Sequence, residues 1–355
     1  MSKILMWGAG AIGGSIGAYL KRAGHDVTFV DIAAEHVAAI NDPGRGLRVS
    51  TSGEEFALSA PAFLPGELTG QWRYACLAVK GQHTEAAATA LRAHLAKDGC
   101  VVSLQNGLLA PVVERALGGQ RTLAASVNVA ADMLGPGHIC LGAKGTLMIG
   151  EFSGGVSERA RELAQILRDF DPTIEATADI WSYVWGKLGF ALMLTAQALG
   201  QRPIIECFQE PELLPLWRAL GTEIAALAAA QGIRPHAFDG YDPDAFSIHV
   251  REAVTLASIE AMVRFLRTST KTHSGIWRDL AVHRRRTEIH HQLGPLLELG
   301  VRHQIPCTTI RRLIDAIADI EEGRCQQTDD NLITLVRRQD VRDAVLNSSW
   351  GNDGH

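Results

Sequence analysis

Lys3-Ile4-Leu5-Met6-Trp7-Gly8-Ala9-Gly10-Ala11-Ile12-Gly13 is the stretch on which the fold turns. Its first five residues form an apolar run of strand length that stops at Gly8. The spacing Gly8-x-Gly10-x-x-Gly13 then opens a segment over 14–23 that reads as a helix and ends at Gly24. A second strand, over 26–30, runs into Asp31. A strand, this glycine spacing, a helix and an acid after the next strand together make a dinucleotide-binding fingerprint. Gly8 allows the tight turn, Gly10 lets a pyrophosphate approach the backbone, and Gly13 lets helix and strand pack closely. The free N–H groups of Ala11, Ile12 and Gly13 at the helix start, with the helix dipole, attract the phosphates.

Asp31 lies 18 residues beyond Gly13. A carboxylate there accepts hydrogen bonds from the adenosine ribose hydroxyls and repels a 2′-phosphate, which favours NAD(H) over NADP(H). Alternatively, Asp31 caps a helix beginning near Ala33, and the two roles can coexist. Lys21 and Arg22 suit the negative end of the first helix and are not read as phosphate clamps.

Working outward, strands are expected over 75–79, 101–104, 123–129, 145–149 and 173–177, and helices over 85–95, 110–117 and 158–170. This alternation predicts an α/β fold, a doubly wound Rossmann sheet. Val79-Lys80-Gly81 and Gln105-Asn106-Gly107 place Lys80 and Asn106 at strand ends, where ligands bind in such sheets. Polar groups there are costly unless they meet a ligand or a partner. Asn-Gly is also a turn former, so a structural role stays open for both.

From Asp179 onward the pattern is helical, with helices expected over 179–199, 213–231, 245–266, 277–300 and 309–322. The domains are therefore expected as 1–178 (Rossmann), 179–347 (all-helical) and a flexible tail over 348–355. Lys187 sits inside an apolar run with Trp185, Leu188 and Leu192. Such a lysine either snorkels to solvent or is placed to deliver a proton. Ala191 and Thr195 follow it at i+4 and i+8 and share its face. A polar stretch over 268–275, with Ser269, His273 and Ser274, reads as a substrate loop. Apolar content over 213–230 and 253–266 leaves room for a homodimer, although a buried core explains it equally well.

Composition bounds the partners. A chain of 355 residues, 46% hydrophobic and 21% charged, is expected to form two ordinary globular domains. Its net charge of -5 argues against nucleic acid, and Arg284, Arg285 and Arg286 read as a solvated helix face. No uninterrupted apolar run reaches the roughly 18 residues that span a bilayer, so no membrane partner is expected. The N-terminus reads as a strand, not a signal peptide. Six scattered cysteines read as core residues of a cytoplasmic protein. Adjacent His290 and His291 point apart, and no metal site is expected.

Several ordered motifs then resemble the ketopantoate reductase (2-dehydropantoate 2-reductase) family. They are the glycine fingerprint, Val79-Lys80, Gln105-Asn106-Gly107, Gly137-His138-Ile139 to Gly150-Glu151, Asp179-Ile180 with Trp185-Gly186-Lys187-Leu188, and Arg286-Thr287-Glu288-Ile289. The resemblance implies a small-molecule 2-oxo acid reduced to a 2-hydroxy acid. By it, Lys187 is the general acid and Glu288 holds the cofactor ribose or orients the lysine network. Lys80 and Asn106 line the nicotinamide and substrate end, and Ser274 meets the substrate carboxylate. The family commonly prefers NADP(H), against the reading of Asp31. It also usually carries asparagines one and two turns after the lysine, where this chain has Ala191 and Thr195. Losing an amide that pairs a substrate hydroxyl costs discrimination, so the substrate reading stays open. One rival is a D-2-hydroxy-acid dehydrogenase on the same scaffold. An opine-type dehydrogenase would want a catalytic histidine, and His273 is the one at hand. A non-catalytic NAD sensor is the rival from another class.

Overall fold

A computed structural model describes residues 1–247, 249–268 and 272–337. Ser269 and the tail expected over 348–355 lie outside the described residues. The chain divides into two compact units, Met1–Ile180 and the residues from Trp181 onward.

The first unit is built on β1 (Lys3–Trp7), α1 (Ala11–Arg22), β2 (Asp26–Val30), α2 (Ala34–Asn41), β3 (Leu47–Ser50), β4 (Glu55–Leu58), β5 (Ala62–Phe63), β6 (Trp72–Leu77), α3 (Thr84–Leu91), β7 (Leu95–Ser103), α4 (Ala110–Leu117), β8 (Thr122–Gly135), β9 (His138–Glu151), α5 (Glu158–Leu167) and β10 (Glu175–Ala176). Ten strands form one sheet in the order β4-β3-β9-β8-β7-β6-β1-β2-β5, with β10 beside β9. β1 is central because it can be buried on both faces. Ile4 and Met6 pack on one side with Ile16, Leu163 and Leu167 of α1 and α5. Leu5 and Trp7 pack on the other with Ala88, Leu91 and Val113 of α3 and α4. Strand alternation thus feeds two separate helix layers, the doubly wound arrangement expected from the sequence. The chain leaves β1 for β2 on one side and later pairs β6 on the other, both parallel.

β8 and β9 depart from expectation. They form a 14-residue antiparallel pair, where only short strands over 123–129 and 145–149 were expected. The outer half of β8 is largely half-exposed, so it lacks the continuous apolar run that marks a buried strand. The antiparallel β3–β4 pair was missed for the same reason, since β4 is only four residues long and none of them is buried.

The second unit holds α6 (Ile180–Gln197), α7 (Ile204–Gln209), α8 (Leu214–Ala230), α9 (Glu252–Leu266), α10 (Gly275–Ala281), α11 (Ile289–His303), α12 (Thr308–Glu321) and α13 (Asp330–Arg337). The segment Pro211–Ala230 is apolar and long enough to cross a membrane by composition, yet it is mostly buried inside the unit. Two expected helices are corrected. The one over 245–266 starts at Glu252, because a short turn over Pro243–Phe246 intervenes. There Arg218 donates to the carbonyls of Ser247 and Val250 at 3.3 and 2.7 Å. The helix over 277–300 is broken between α10 and α11. Arg284 takes a φ of +49°, and Arg285 turns back onto Asp279 with Nε 2.8 Å from Oδ1. The arginine run therefore lies in a connecting loop and not on a helix face. Cys325 is likewise exposed rather than part of the core.

Glu151, at the end of β9, is tied to α5. Arg159 Nε lies 2.8 Å from Glu151 Oε1, and Ser157, the helix cap, donates to the same oxygen. Burial pushes the Glu151 carboxyl up, but the hydrogen bonds from Arg159 and Ser157 outweigh it and hold it below the ordinary carboxylate value. A depressed carboxylate contributes stability above its unfolded pKa and loses it as the pH falls through the folded one. Glu151→Gln is thus expected to cost about 2 kcal/mol near neutral pH. In urea unfolding followed by circular dichroism, the gap to wild type should close as the pH falls below about 4.

Candidate functional site

In the first unit, Gly8 leaves β1 with a φ of +99°, and its N–H donates to Val30 O at 2.7 Å. A Cβ on Gly13 would lie 2.0 Å from the Gly8 carbonyl oxygen and 2.9 Å from Ala78 Cβ, so only glycine lets α1 start against the strand ends. Gly10 is the opposite case: a Cβ there would meet no atom within 4 Å. Gly10, Ala11 and Ile12 are partly exposed, whereas Gly13 is buried. No side chain caps the start of α1 and no acid lies in its first turn. The result is an open cradle of backbone donors at a positive helix end, which fits a pyrophosphate.

Asp31 is half-buried at the rim of this cradle. Its Oδ2 accepts from Ala9 N at 2.9 Å and its Oδ1 from Ala33 N at 3.0 Å. Each oxygen keeps a further lone pair for a hydroxyl. Ile32 beside it is 62% exposed, an apolar residue that strand periodicity did not single out.

Lys80 and Asn106 follow the ends of β6 and β7, the strands next in line after β1. Lys80 is half-buried and Asn106 exposed. The buried polar residue of this edge is Gln105. Its Nε2 donates to Val79 O and Thr84 Oγ1, both at 2.8 Å, and its Oε1 accepts from Ser103 Oγ at 3.0 Å. Gln105 locks the two strand ends together, and that locking sets the backbone of both Lys80 and Asn106. The folded unit thus brings the glycine loop, Asp31, Lys80 and Asn106 to one edge of the sheet.

In the second unit, Lys187 and Ala191 are half-buried on α6, whose other residues from Val184 to Gln197 are buried. Thr195 shares their face but is buried, and its hydroxyl donates to Ala191 O at 2.9 Å. Ser274 is no free loop residue. It caps α10, accepting from Trp277 N at 3.2 Å. Its own N–H donates to Gln197 Oε1 at 3.1 Å, which seats it at the end of α6. Gln197, a buried polar residue that the sequence reading passed over, in turn donates to Arg202 O at 2.9 Å. Glu288 stands half-buried at the start of α11, not mid-helix. Its neighbour Thr287 anchors that start, with its N–H 2.7 Å from Glu321 Oε1. His273 stacks on Trp277 at 3.9 Å and is half-buried.

Comparison with known proteins adds the family. The profile described as "Ketopantoate reductase PanE/ApbA" matches residues 4–154, and "Ketopantoate reductase PanE/ApbA C terminal" matches residues 179–321. The chain belongs to the ketopantoate reductase family. It is therefore a nicotinamide-dependent oxidoreductase acting on a CH–OH group. The 2-dehydropantoate 2-reductase of Archaeoglobus fulgidus is 28% identical over 333 residues, covering 91% of this chain and 99% of that one. That of Pyrococcus abyssi is 30% identical over 190 residues, covering 52% of this chain and 59% of the relative. A solved PanE/ApbA family ketopantoate reductase from Ralstonia eutropha JMP134 is 28% identical. It has a TM-score of 0.75 and covers 91% of this chain and 99% of that one. D-mandelate dehydrogenase, solved with NADH and anilino(oxo)acetate, shares the fold at a TM-score of 0.78 and 21% identity, covering 90% of this chain and 98% of that one.

The contrast between the two glycines is testable. Gly10→Ala should leave urea stability within about 1 kcal/mol of wild type yet weaken NADH binding at least about tenfold, because its methyl group fills the cradle. Gly13→Ala should lower both, since the clash is with backbone.

Proposed function

We propose that this chain reduces a 2-oxo acid to the 2-hydroxy acid with NAD(H), ketopantoate to pantoate being the default substrate. The observation that carries the proposal is the setting of Lys187, a half-buried ammonium on a helix that is otherwise buried around it. When bound, the reduced nicotinamide supplies the hydride. Lys187 donates a proton to the carbonyl oxygen as negative charge develops there, converting the ketone to the alcohol. Glu288 holds the cofactor ribose or orients the lysine. Lys80 and Asn106, at the strand ends, line the nicotinamide and substrate end. Ser274 donates its hydroxyl hydrogen to the substrate carboxylate, which can only accept, while an oxygen lone pair serves Trp277 N. Gly8, Gly10, Ala11, Ile12 and Gly13 take the pyrophosphate, and Asp31 takes the adenosine ribose. The negative charge of Asp31 supports NAD(H) over the NADP(H) common in the family.

A second reading is favoured by the face beyond Lys187. The Ala191 side chain offers no polar atom, and the Thr195 hydroxyl hydrogen is committed to the Ala191 carbonyl. Such a face supports a substrate that is less hydroxylated or bulkier and apolar, and a D-2-hydroxy-acid dehydrogenase running in the oxidative direction. D-mandelate dehydrogenase is an instance of that chemistry on this fold.

The deciding measurement is kcat/KM for ketopantoate with saturating NADH and then NADPH. A high value with NADH supports the default substrate and the reading of Asp31. A negligible value with both, in protein that still binds NADH, rejects ketopantoate and directs the assay to other 2-oxo acids and to D-2-hydroxy acids. On whichever substrate turns over, Lys187→Met should lower kcat by about 100-fold or more while leaving NADH affinity unchanged in a fluorescence titration.

A further inference from the structure

His36, in the first turn of α2, is 3% exposed, and both of its ring nitrogens meet backbone. Nδ1 lies 2.8 Å from Gly137 N, in the turn of the long β8–β9 hairpin. Nε2 lies 2.8 Å from Ala9 O, inside the glycine loop. A backbone N–H can only donate, so Nδ1 must be the bare nitrogen. Nε2 therefore carries the hydrogen and donates it to the Ala9 carbonyl. The partners fix the tautomer.

The other side of Ala9 is held as well, because its N–H donates to Asp31 Oδ2 at 2.9 Å. Asp31 and His36 both come from the segment that follows β2. The two peptide groups flanking Ala9 are thus gripped by two side chains, one acid taking the N–H and one imidazole giving to the carbonyl. Gly8 N adds a bond to Val30 O at 2.7 Å. The hairpin turn that meets the far side of the imidazole is itself pinned, with Gly137 O accepting from Arg48 N at 2.8 Å. His36 is therefore a strut between a fixed turn and the loop.

We infer that His36 is a positioning residue for the dinucleotide. It holds the Ala9 carbonyl back so that the N–H groups of Ala11 and Ile12 stay directed at the pyrophosphate. This inference rests on the reading of the glycine loop as a dinucleotide site and adds a residue that touches neither cofactor nor substrate. Preorganised donors gain affinity because less order has to be imposed on binding.

Two substitutions divide the strut into its halves. His36→Gln keeps a donor near the Nε2 position and loses the acceptor for Gly137. His36→Asn keeps an acceptor near Nδ1 and loses the donor to Ala9. Each removes one hydrogen bond, so their urea midpoints should fall by similar amounts. NADH affinity, read by fluorescence titration, should separate them. His36→Gln is expected within about threefold of wild type, and His36→Asn and His36→Ala at least about tenfold weaker. Equal affinities across the variants, or losses that follow the urea midpoints, would overturn the strut and leave the dinucleotide reading intact. A wild-type chain that binds neither NADH nor NADPH would overturn the dinucleotide reading and the strut with it.

Discussion

The start of α1 is pressed so closely against the end of β1 that a single methyl group at Gly13 would sit 2.0 Å from the Gly8 carbonyl oxygen. Much of the first unit depends on that approach. It brings Ile16 and Leu20 down onto the sheet beside Ile4 and Met6. It turns the uncapped helix start outward at the sheet edge. It also places the loop against Ala78, so the next strand end must follow its shape. Close packing leaves few alternatives, because a void or clash of one methyl group in a protein interior is felt in free energy.

Polar side chains then fix what packing leaves loose. Asp31 and His36 hold the peptide groups of Ala9, and Gln105 ties the ends of two strands. In the second unit Gln197 and Ser274 do comparable work at the end of α6, and Glu223 accepts from the N–H groups of Thr309 and Ile310 at the start of α12 at 2.7 and 2.9 Å. Burial pushes the Glu223 carboxyl up, and those backbone bonds only partly offset it. Each of these residues satisfies main-chain groups that would be costly to bury alone.

The strongest sequence signals were local and covalently close. Residues 3–31 carry strand, glycine turn, helix and acid within one span, and each step has a local physical reason. The alternation of later elements was legible too, because buried parallel strands are apolar along their whole length. The long hairpin was only half legible, since its outer half is not buried on both faces. The break between α10 and α11 left no glycine or proline to mark it. It is set by Arg285 turning back onto Asp279. Ser274 read as a loop residue for a related reason, because cap and loop residues have the same composition.

By itself, the sequence determined the dinucleotide fingerprint, the change from alternating to all-helical pattern near Asp179, and the motifs that mark the family. These follow from periodicity and from short spacings, which do not depend on what lies opposite in space. The tertiary structure decided that His36 joins Ala9 to Gly137, that Gln105 joins two strand ends, and that Gln197 receives Ser274. Each of those bonds links residues remote in the chain. Hydrogen bonds act over about 3 Å, and only the folded chain brings such pairs within that distance.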